Sequence, residues 1–183
     1  MRVLIDACVL YPTVLREIVL GVAARGAFAP FWSPRILEEW ARAADRIAPG
    51  AQTVARGEIA LLSTAWPQAR VTPSPEVEAL LDLPDPADRH VLAAAIAARA
   101  AVILTFNLRD FPRRALDPHG LRAQHPDAFL MELWLAQPDI VTRAVAEVRS
   151  RTEDISGRAQ PLRPLLKRAK LPRLGKALQS AES

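Results

Sequence analysis

The chain has 183 residues, half of them apolar, which is enough for one buried core with a small addition. Its one cysteine, Cys8, excludes an internal disulfide and a cysteine-rich zinc site, so we expect a reducing cytoplasmic environment. The formal net charge of +4 does not select a partner by itself, and no apolar run has the length of a signal peptide or a membrane span. We therefore expect a soluble, cytoplasmic protein with no membrane partner.

The beginning of the chain predicts a strand, a helix and a second strand. Residues 3–5 are an apolar run typical of a strand buried on both faces, and Asp6 ends it. Pro12 begins a helix whose apolar residues fall at helical spacing until Gly26, and residues 28–32 follow as a second strand. This order indicates an α/β protein.

The next helix is predicted to begin at Ser33 and Pro34, an N-cap residue followed by a proline. Glu38 and Glu39 lie in its first turns, and Glu39 lies towards the rim of the apolar stripe. We expect a further helix at residues 52–63 and a short strand at residues 69–72.

A stretch rich in proline and aspartate, residues 83–88, ends one element and begins another. It contains Asp85 and Asp88, and a nearly all-apolar helix then leads directly to a buried strand at residues 102–104. Asn107 and Asp110 follow this strand, and residues 120–124 predict a last edge strand. Acidic and amide side chains therefore bracket one helix and strand.

From Pro126 onward the sequence predicts helices and no strand. We place a domain boundary near His125, with a main domain at residues 1–125 and a helical extension at residues 126–183. Seven of the 24 basic residues and no acidic residue lie between positions 155 and 181, which leaves 17 basic and 20 acidic residues elsewhere. Such a tail fits a polyanionic partner, and it equally fits a solvated helix face.

Alternating strands and helices predict a parallel sheet with helices on both faces, in which ligands bind beyond the carboxyl ends of the strands. Asp6 and Asp110 follow strands, and Asp88 begins the helix that feeds one of them. Asp88 approaches Asp6 only if the first strand lies beside the strand at residues 102–104. The pattern leaves that neighbourhood open.

Converging carboxylates repel one another, and a hard divalent cation such as Mg²⁺ or Mn²⁺ relieves the repulsion. Such an ion suits the hydrolysis of phosphodiesters. Taken singly, each acid also has an ordinary role as a turn, cap or solvated helix residue. The histidines do not have zinc-site spacing, and we interpret them as surface or packing residues: His90, His119 and His125.

Four motifs in order resemble those of the PIN-domain ribonucleases, specifically the VapC-type toxins of bacterial toxin–antitoxin pairs. The motifs are VLIDACVLYP at 3–12, ILEEW at 36–40, DPADRHVLAAA at 85–95 and LTFNLRDFP at 104–112. Together they cover about the first 130 residues. Each motif alone is weak, and their order makes the resemblance specific.

The resemblance implies a three-layer α/β domain around a parallel five-stranded sheet, with the first and fourth strands adjacent. By motif position it implies that Asp6, Glu39, Asp88 and Asp110 bind Mg²⁺ or Mn²⁺ and are catalytic, with Asn107 near the metal or the phosphate. It further implies an endoribonuclease toxin of a type II toxin–antitoxin pair, with RNA as substrate and a cognate antitoxin as partner. Dimers are frequent in the family, so a homodimer is one expectation, although the sequence leaves the oligomeric state open.

Basic residues near the site and in the tail are the expected contacts to the RNA backbone. They are Arg89, Arg109, Lys167, Arg168 and Lys170. The tail residues would equally suit an acidic antitoxin. The chain also departs from many VapC proteins, which have Asn or Ser where it has Cys8.

Two questions about the site and the function stay open in the sequence. One is whether Glu38 or Asp85 contributes to the site. The other is whether the chain is instead a non-catalytic PIN-like module that binds RNA or a partner, or a nuclease that acts on DNA. The carboxylates argue against the first alternative, and nothing in the sequence supports the second.

Overall fold

A parallel β-sheet organises the first part of the chain. The structure, a computed structural model, describes residues 1–182. Its strands are β1 (Arg2–Ile5), β2 (Ala29–Phe31), β3 (Val102–Leu104) and β4 (Arg122–Gln124). Within residues 1–182 they form one four-stranded sheet in the order β2-β1-β3-β4, and every neighbouring pair is parallel. The predicted α/β class is confirmed, and β1 does lie beside β3.

The sheet has one strand fewer than the five predicted. At residues 69–72, where the sequence predicts a strand, the chain forms a single parallel bridge to Trp32. Trp32 N donates to Ala69 O at 3.0 Å, and Val71 N donates to Trp32 O at 2.9 Å. Pro73 follows, and a proline has no N–H with which to extend a ladder. The fifth strand is therefore reduced to a bridge.

The helices are numbered in chain order. They are α1 (Ala7–Leu10), α2 (Thr13–Ala24), α3 (Pro34–Ile47), α4 (Ala51–Ala65), α5 (Pro75–Leu80), α6 (Arg89–Ala97), α7 (Arg113–Leu116), α8 (Pro126–Ala136), α9 (Pro138–Ser156), α10 (Leu162–Arg168) and α11 (Pro172–Glu182). Short 3-10 helices lie at Pro86–Asp88, Leu108–Asp110 and Asp117–His119. The helices predicted in the extension are confirmed, whereas α1 is too short for a periodic pattern to predict it.

Two compact units divide the described chain. One contains Met1–Tyr11 and Ala29–Gln124, and so holds the sheet together with α1 and α3–α7. The other contains Pro12–Phe28 and the residues from His125 onward, so α2 belongs with α8–α11. The sequence assigns α2 to a main domain at residues 1–125. The division into residues 1–125 and 126–183 therefore stays a prediction.

Burial explains the apolar runs of the sheet unit. The side chains of Val3, Leu4 and Ile5 on β1 are 0 % exposed, and so is every residue of β3. Strands that are covered on both faces read as continuous apolar runs, as these two do. In α6, Val91–Ala95 are also buried, which accounts for the helix that is apolar on nearly all sides.

The helical unit is held partly by a buried carboxylate. Asp127, in the first turn of α8, is 4 % exposed and accepts hydrogen bonds of 3.0 Å from the backbone N–H groups of Arg173 and Leu174. These N–H groups belong to the first turn of α11, where a helix has no internal partners for them. Asp127 therefore caps α11 from another helix.

Among residues 1–182, no helix is long and apolar enough to cross a membrane.

Candidate active site

Asp6 and Thr105 meet at the carboxyl ends of β1 and β3. Each residue directly follows its strand, and Asp6 N donates to Leu104 O at 3.1 Å. The Thr105 hydroxyl donates a hydrogen bond of 2.7 Å to Asp6 Oδ2, and both side chains are buried. The pairing of β1 with β3, which brings the two residues together, is the neighbourhood that the sequence left open.

Cys8 adds a second donor to the same oxygen. Its Sγ lies 3.1 Å from Asp6 Oδ2 and accepts from Phe106 N at 3.4 Å. Burial, with a smaller contribution from the Asp6 charge, raises the pKa of the Cys8 thiol to about 12. The thiol is therefore protonated at neutral pH and acts as a hydrogen-bond donor.

The two oxygens of Asp6 have different surroundings. Thr105 and Cys8 both reach Oδ2, whereas Oδ1 has no hydrogen-bond partner among residues 1–182. The carboxylate is therefore fixed through one oxygen, and its other oxygen is left to bind a cation. Carboxylate oxygens are the ligands that Mg²⁺ and Mn²⁺ prefer.

Asp88 stands at the end of the 3-10 helix Pro86–Asp88, directly before α6. Burial, followed in decreasing order by the negative charges of Asp6, Asp110 and Asp85, raises its pKa to about 6, while His90 acts in the opposite direction. The charges of Asp6 and Asp110 therefore act on the Asp88 carboxyl. Asp6 and Asp110 lie in the segments that follow β1 and β3, and the role of the three aspartates as metal ligands stays a prediction.

Asp110 ends the 3-10 helix Leu108–Asp110 in the loop after β3. Its backbone N–H donates to Asn107 O at 3.1 Å, and its side chain is partly buried. Asn107 is exposed, and its N–H donates to the Thr105 hydroxyl at 3.0 Å. Thr105 therefore orients Asp6 and also fixes the first turn of the loop that carries Asn107 and Asp110.

Glu39 is held by basic side chains. On α3, its Oε1 lies 2.8 Å from His90 Nε2 and 3.8 Å from Arg35 Nε. Arg35 also pairs with Glu78 on α5 at 3.0 Å. The negative charges that act on Asp88 are those of Asp6, Asp110 and Asp85, whereas Glu39 is in contact with His90.

Glu38 and Asp85, the two acids that the sequence left open, each have a partner of their own. Glu38 accepts from Arg42 at 3.2 Å and from Arg56 at 3.0 Å, and the hydrogen bond from Arg56 holds its pKa below the usual value. The Asp85 side chain accepts from Ala87 N at 2.8 Å and so caps the 3-10 helix that leads to Asp88. Asp88 itself makes no side-chain capping bond within the described chain.

The basic residues predicted to contact RNA lie in both units. Arg109 is exposed and Arg89 is partly buried, and both belong to the sheet unit, next in sequence to Asp110 and Asp88. The other three lie exposed at the end of α10 or just after it, in the helical unit: Lys167, Arg168 and Lys170.

The donor set suits a hard divalent cation. In residues 1–182, no three His, Cys, Asp or Glu side chains lie close enough together to hold one ion as they stand. The pKa of Asp88 is raised first by burial and then by the charges of Asp6 and Asp110, and a divalent cation would offset that negative charge. The donors are oxygen atoms, so they fit Mg²⁺ or Mn²⁺ better than a metal that prefers nitrogen or sulfur.

Neither the hydrogen bond of Thr105 nor the contact of His90 with Glu39 was predicted from the sequence. Thr105 directly follows a buried strand, and a hydroxyl residue at that position was the available signal for a hydrogen bond at the end of the sheet. His90 was interpreted as a surface or packing residue. It is 1 % exposed, as packing would require, but its Nε2 also contacts Glu39, which lies 51 positions earlier in the chain.

Comparisons with known proteins identify the family of the chain. Residues 2–109 match the family described as PIN domain. A similar protein in Mycobacterium tuberculosis (strain ATCC 25618 / H37Rv), named "Putative ribonuclease VapC50", is 58 % identical over 45 residues. That match spans 25 % of this chain and about a quarter, 27 %, of the relative. No solved structure matches the chain.

Proposed function

We propose a function from one premise, which is that the chain belongs to the PIN domain family. The proposal is that it is a metal-dependent endoribonuclease and acts as the toxin of a type II toxin–antitoxin pair. The similarity to VapC50, a protein named as a ribonuclease, supports this class of activity. The use of RNA, the dependence on Mg²⁺ or Mn²⁺ and the toxin role are parts of the same proposal.

The observation that carries the proposal is the placement of Asp6, Asp88 and Asp110 at one end of the parallel sheet. Asp6 is fixed through Oδ2 by Thr105 and Cys8, which leaves Oδ1 for a ligand. Asp88 experiences the charges of the other two aspartates. Such a group of carboxylates at the carboxyl ends of strands is where a parallel α/β sheet binds ligands.

In the proposed mechanism, Asp6, Asp88, Asp110 and Glu39 hold the divalent cation or its waters. When bound, the cation would supply Lewis-acid activation for hydrolysis of the phosphodiester. Thr105 and Cys8 keep the Asp6 carboxylate in a fixed orientation, so that it does not need to reorganise when a ligand binds. Asn107, which is exposed on the same loop as Asp110, would contact the phosphate.

Basic side chains would bind the RNA backbone. Arg89 and Arg109 flank the aspartates in sequence and would offset the negative charge of the approaching phosphates. Lys167 and Arg168 at the end of α10, with Lys170 just after it, would add affinity that depends on salt and not on sequence. We further propose a cognate antitoxin and a second copy of this chain as protein partners, and the cytoplasm as the compartment.

The test is cleavage of RNA by the purified chain with Mg²⁺, with Mn²⁺ and with EDTA. We expect cleavage with either metal and none with EDTA. Asp6→Asn and Glu39→Gln should abolish or strongly reduce cleavage, whereas Glu38→Gln serves as the matched control because Glu38 is paired with Arg42 and Arg56. Cleavage that persists in Asp6→Asn would overturn the assignment.

The same experiment separates the alternatives. A single-stranded DNA of the same sequence is digested in parallel, and cleavage of DNA alone would identify a DNA-directed nuclease. Metal binding by calorimetry without cleavage of either polymer would instead identify a binding module. Expression in a bacterium, followed by sequencing of the new RNA ends against the Asp6→Asn strain, would identify the RNA that is cut.

A further inference from the structure

We propose that His90 is a positioning residue, which presents the Glu39 carboxylate to the divalent cation. The inference rests on the proposed nuclease function and adds a residue to it. His90 lies in the first turn of α6, and its Nε2 is 2.8 Å from Glu39 Oε1 on α3. The histidine is 1 % exposed, whereas the Glu39 side chain is 37 % exposed, so a buried imidazole holds a partly exposed carboxylate.

The position of the proton in this 2.8 Å contact follows from the chemistry of its partners. A carboxylate only accepts, so Nε2 carries the proton that is shared with Glu39, whether or not the imidazole is charged. Arg35 approaches the same oxygen, Oε1, at 3.8 Å. Among residues 1–182, Oε2 of Glu39 has no hydrogen-bond partner. One oxygen is therefore fixed by the protein, and the other is left for a ligand.

The Asp6 carboxylate is likewise held through one of its two oxygens. Its Oδ2 takes the donors Thr105 and Cys8, and its Oδ1 is left without a partner in the described chain. Two of the proposed metal ligands are thus each held through a single oxygen by a buried donor. Donors of this kind fix the orientation of a ligand before the metal arrives, and their loss lowers metal affinity even though they do not touch the metal.

Packing alone does not explain a histidine at position 90. Its Nδ1 is buried and has no hydrogen-bond partner among residues 1–182. A buried polar atom without a partner is unfavourable, and an apolar side chain of similar size would fill the same space without it. An apolar residue would, however, be unable to donate a hydrogen bond to Glu39. The imidazole is therefore explained by its Nε2 bond.

The contact also connects two of the segments that carry proposed ligands. His90 lies two positions after Asp88, and Glu39 lies on α3, so the bond ties α3 to the turn that carries Asp88. Arg35 reinforces this tie, because its Nη2 donates to Ala87 O at 3.5 Å. The position of Glu39 is in this way set relative to the segment that carries Asp88.

The experiment compares two amide variants of the full chain. In His90→Gln the amide nitrogen can reach the place of Nε2, whereas in His90→Asn the shorter amide cannot. Mn²⁺ affinity is measured by electron paramagnetic resonance on metal-stripped protein, together with kcat and KM for RNA. We expect His90→Asn to bind Mn²⁺ about 10- to 100-fold more weakly and His90→Gln to stay close to wild type.

The controls distinguish this inference from the function on which it rests. If wild type itself does not bind Mn²⁺ or cut RNA, the proposed function fails. If wild type does both and His90→Asn binds Mn²⁺ equally well, only the role of His90 is overturned. If His90→Asn does not fold in EDTA, as judged by circular dichroism, His90→Gln decides alone: weak Mn²⁺ binding by folded His90→Gln overturns the inference, and wild-type binding supports it.

A double-mutant cycle supplies the second readout. If His90 acts through Glu39, the variant with both Glu39→Gln and His90→Asn binds Mn²⁺ as weakly as Glu39→Gln alone, and the two effects do not add. Additive losses would mean that His90 affects the site by another route, which would overturn the proposal. A merely structural role would lower the melting temperature without this non-additivity.

Discussion

The Thr105 hydroxyl donates a hydrogen bond of 2.7 Å to Asp6 Oδ2, which lies 99 positions earlier in the chain. The same hydroxyl accepts a hydrogen bond from the backbone N–H of Asn107. One buried hydroxyl therefore holds a proposed metal ligand and the loop that carries another. The hydrogen bonds are made possible by the pairing of β1 with β3, which ends immediately before both residues.

We predict that Thr105→Val weakens Mn²⁺ binding and lowers stability. Valine has a similar shape but no hydroxyl, so Asp6 Oδ2 loses its shortest hydrogen bond and Asn107 N loses its acceptor. The expected cost is about 1–3 kcal/mol in the free energy of unfolding, with metal affinity reduced by about tenfold. Urea denaturation and Mn²⁺ titration measure the two effects. Thr105→Ser keeps the hydroxyl and should bind Mn²⁺ normally; if it does not, the hydroxyl is not the reason.

The two aspartates of the DPAD sequence provide a matched pair of variants. Asp88 is partly buried near Asp6 and Asp110, whereas the Asp85 side chain is exposed and caps a 3-10 helix. We predict that Asp88→Asn abolishes RNA cleavage, and that Asp85→Asn retains most of it because asparagine also caps helices well. The measurement is initial cleavage rate at saturating Mg²⁺. Equal activity of both variants would exclude Asp88 as a ligand.

The raised pKa of Asp88 predicts a pH dependence of stability in the metal-free protein. Its pKa rises from an ordinary value of 3.8 to about 6 on folding, because of burial and of the neighbouring negative charges. Between these values the folded state binds more protons than the unfolded state, so this group makes the protein less stable as pH rises from about 4 to 6. Above that window the destabilisation is fully present.

The variant Asp88→Asn isolates this contribution. It removes the titrating group, so in EDTA it should be more stable than wild type at pH 7, and the difference should shrink towards zero as pH falls to 4. Urea denaturation of both proteins at each pH gives the difference directly, and contributions from carboxylates that do not interact with Asp88 cancel in it. A difference that does not change with pH would contradict the raised pKa.

Local sequence signals predicted the elements that carry the site. The prolines of residues 83–88 end one element, and the aspartates begin the next. Helix α6 and the following strand can therefore be predicted without the rest of the chain. The role of each aspartate is less readable, because Asp85 and Asp88 are equally good capping residues. Three-dimensional packing decides between them, and it leaves Asp85 as the cap.

The features that could not be predicted depend on contacts between distant segments. The contact of His90 with Glu39 requires α3 to lie beside α6, and no periodicity contains that information. The association of α2 with the helices after His125 is of the same kind, since Arg25, directly after α2, forms an ion pair with Glu147 of α9. The resemblance to a family supplied the pairing of β1 with β3 but not these side-chain contacts.

The buried carboxylate of Asp127 predicts a stability effect in the helical unit. Asp127→Ala leaves two backbone N–H groups of α11 without their acceptors, so we expect the free energy of unfolding to fall by about 1–3 kcal/mol. Asp139→Ala is the control, because Asp139 is exposed in the first turn of α9 and should change stability by less than about 0.5 kcal/mol. Urea denaturation at pH 7 measures both. Similar effects of the two variants would show that Asp127 is not an anchor.

The basic end of α10 predicts a salt effect on RNA binding. Replacing Lys167, Arg168 and Lys170 with alanine should weaken binding of single-stranded RNA and lower the slope of log K against log salt by roughly 0.7 for each phosphate that these side chains neutralise. The slope is measured by fluorescence anisotropy with the Asp6→Asn protein, which does not consume the RNA. The control replaces three exposed arginines outside this cluster, which are Arg46, Arg99 and Arg143. The salt slope of this control should equal that of the parent protein. If the α10 variant keeps the parental slope but no longer binds an acidic peptide, the cluster serves a protein partner and not RNA.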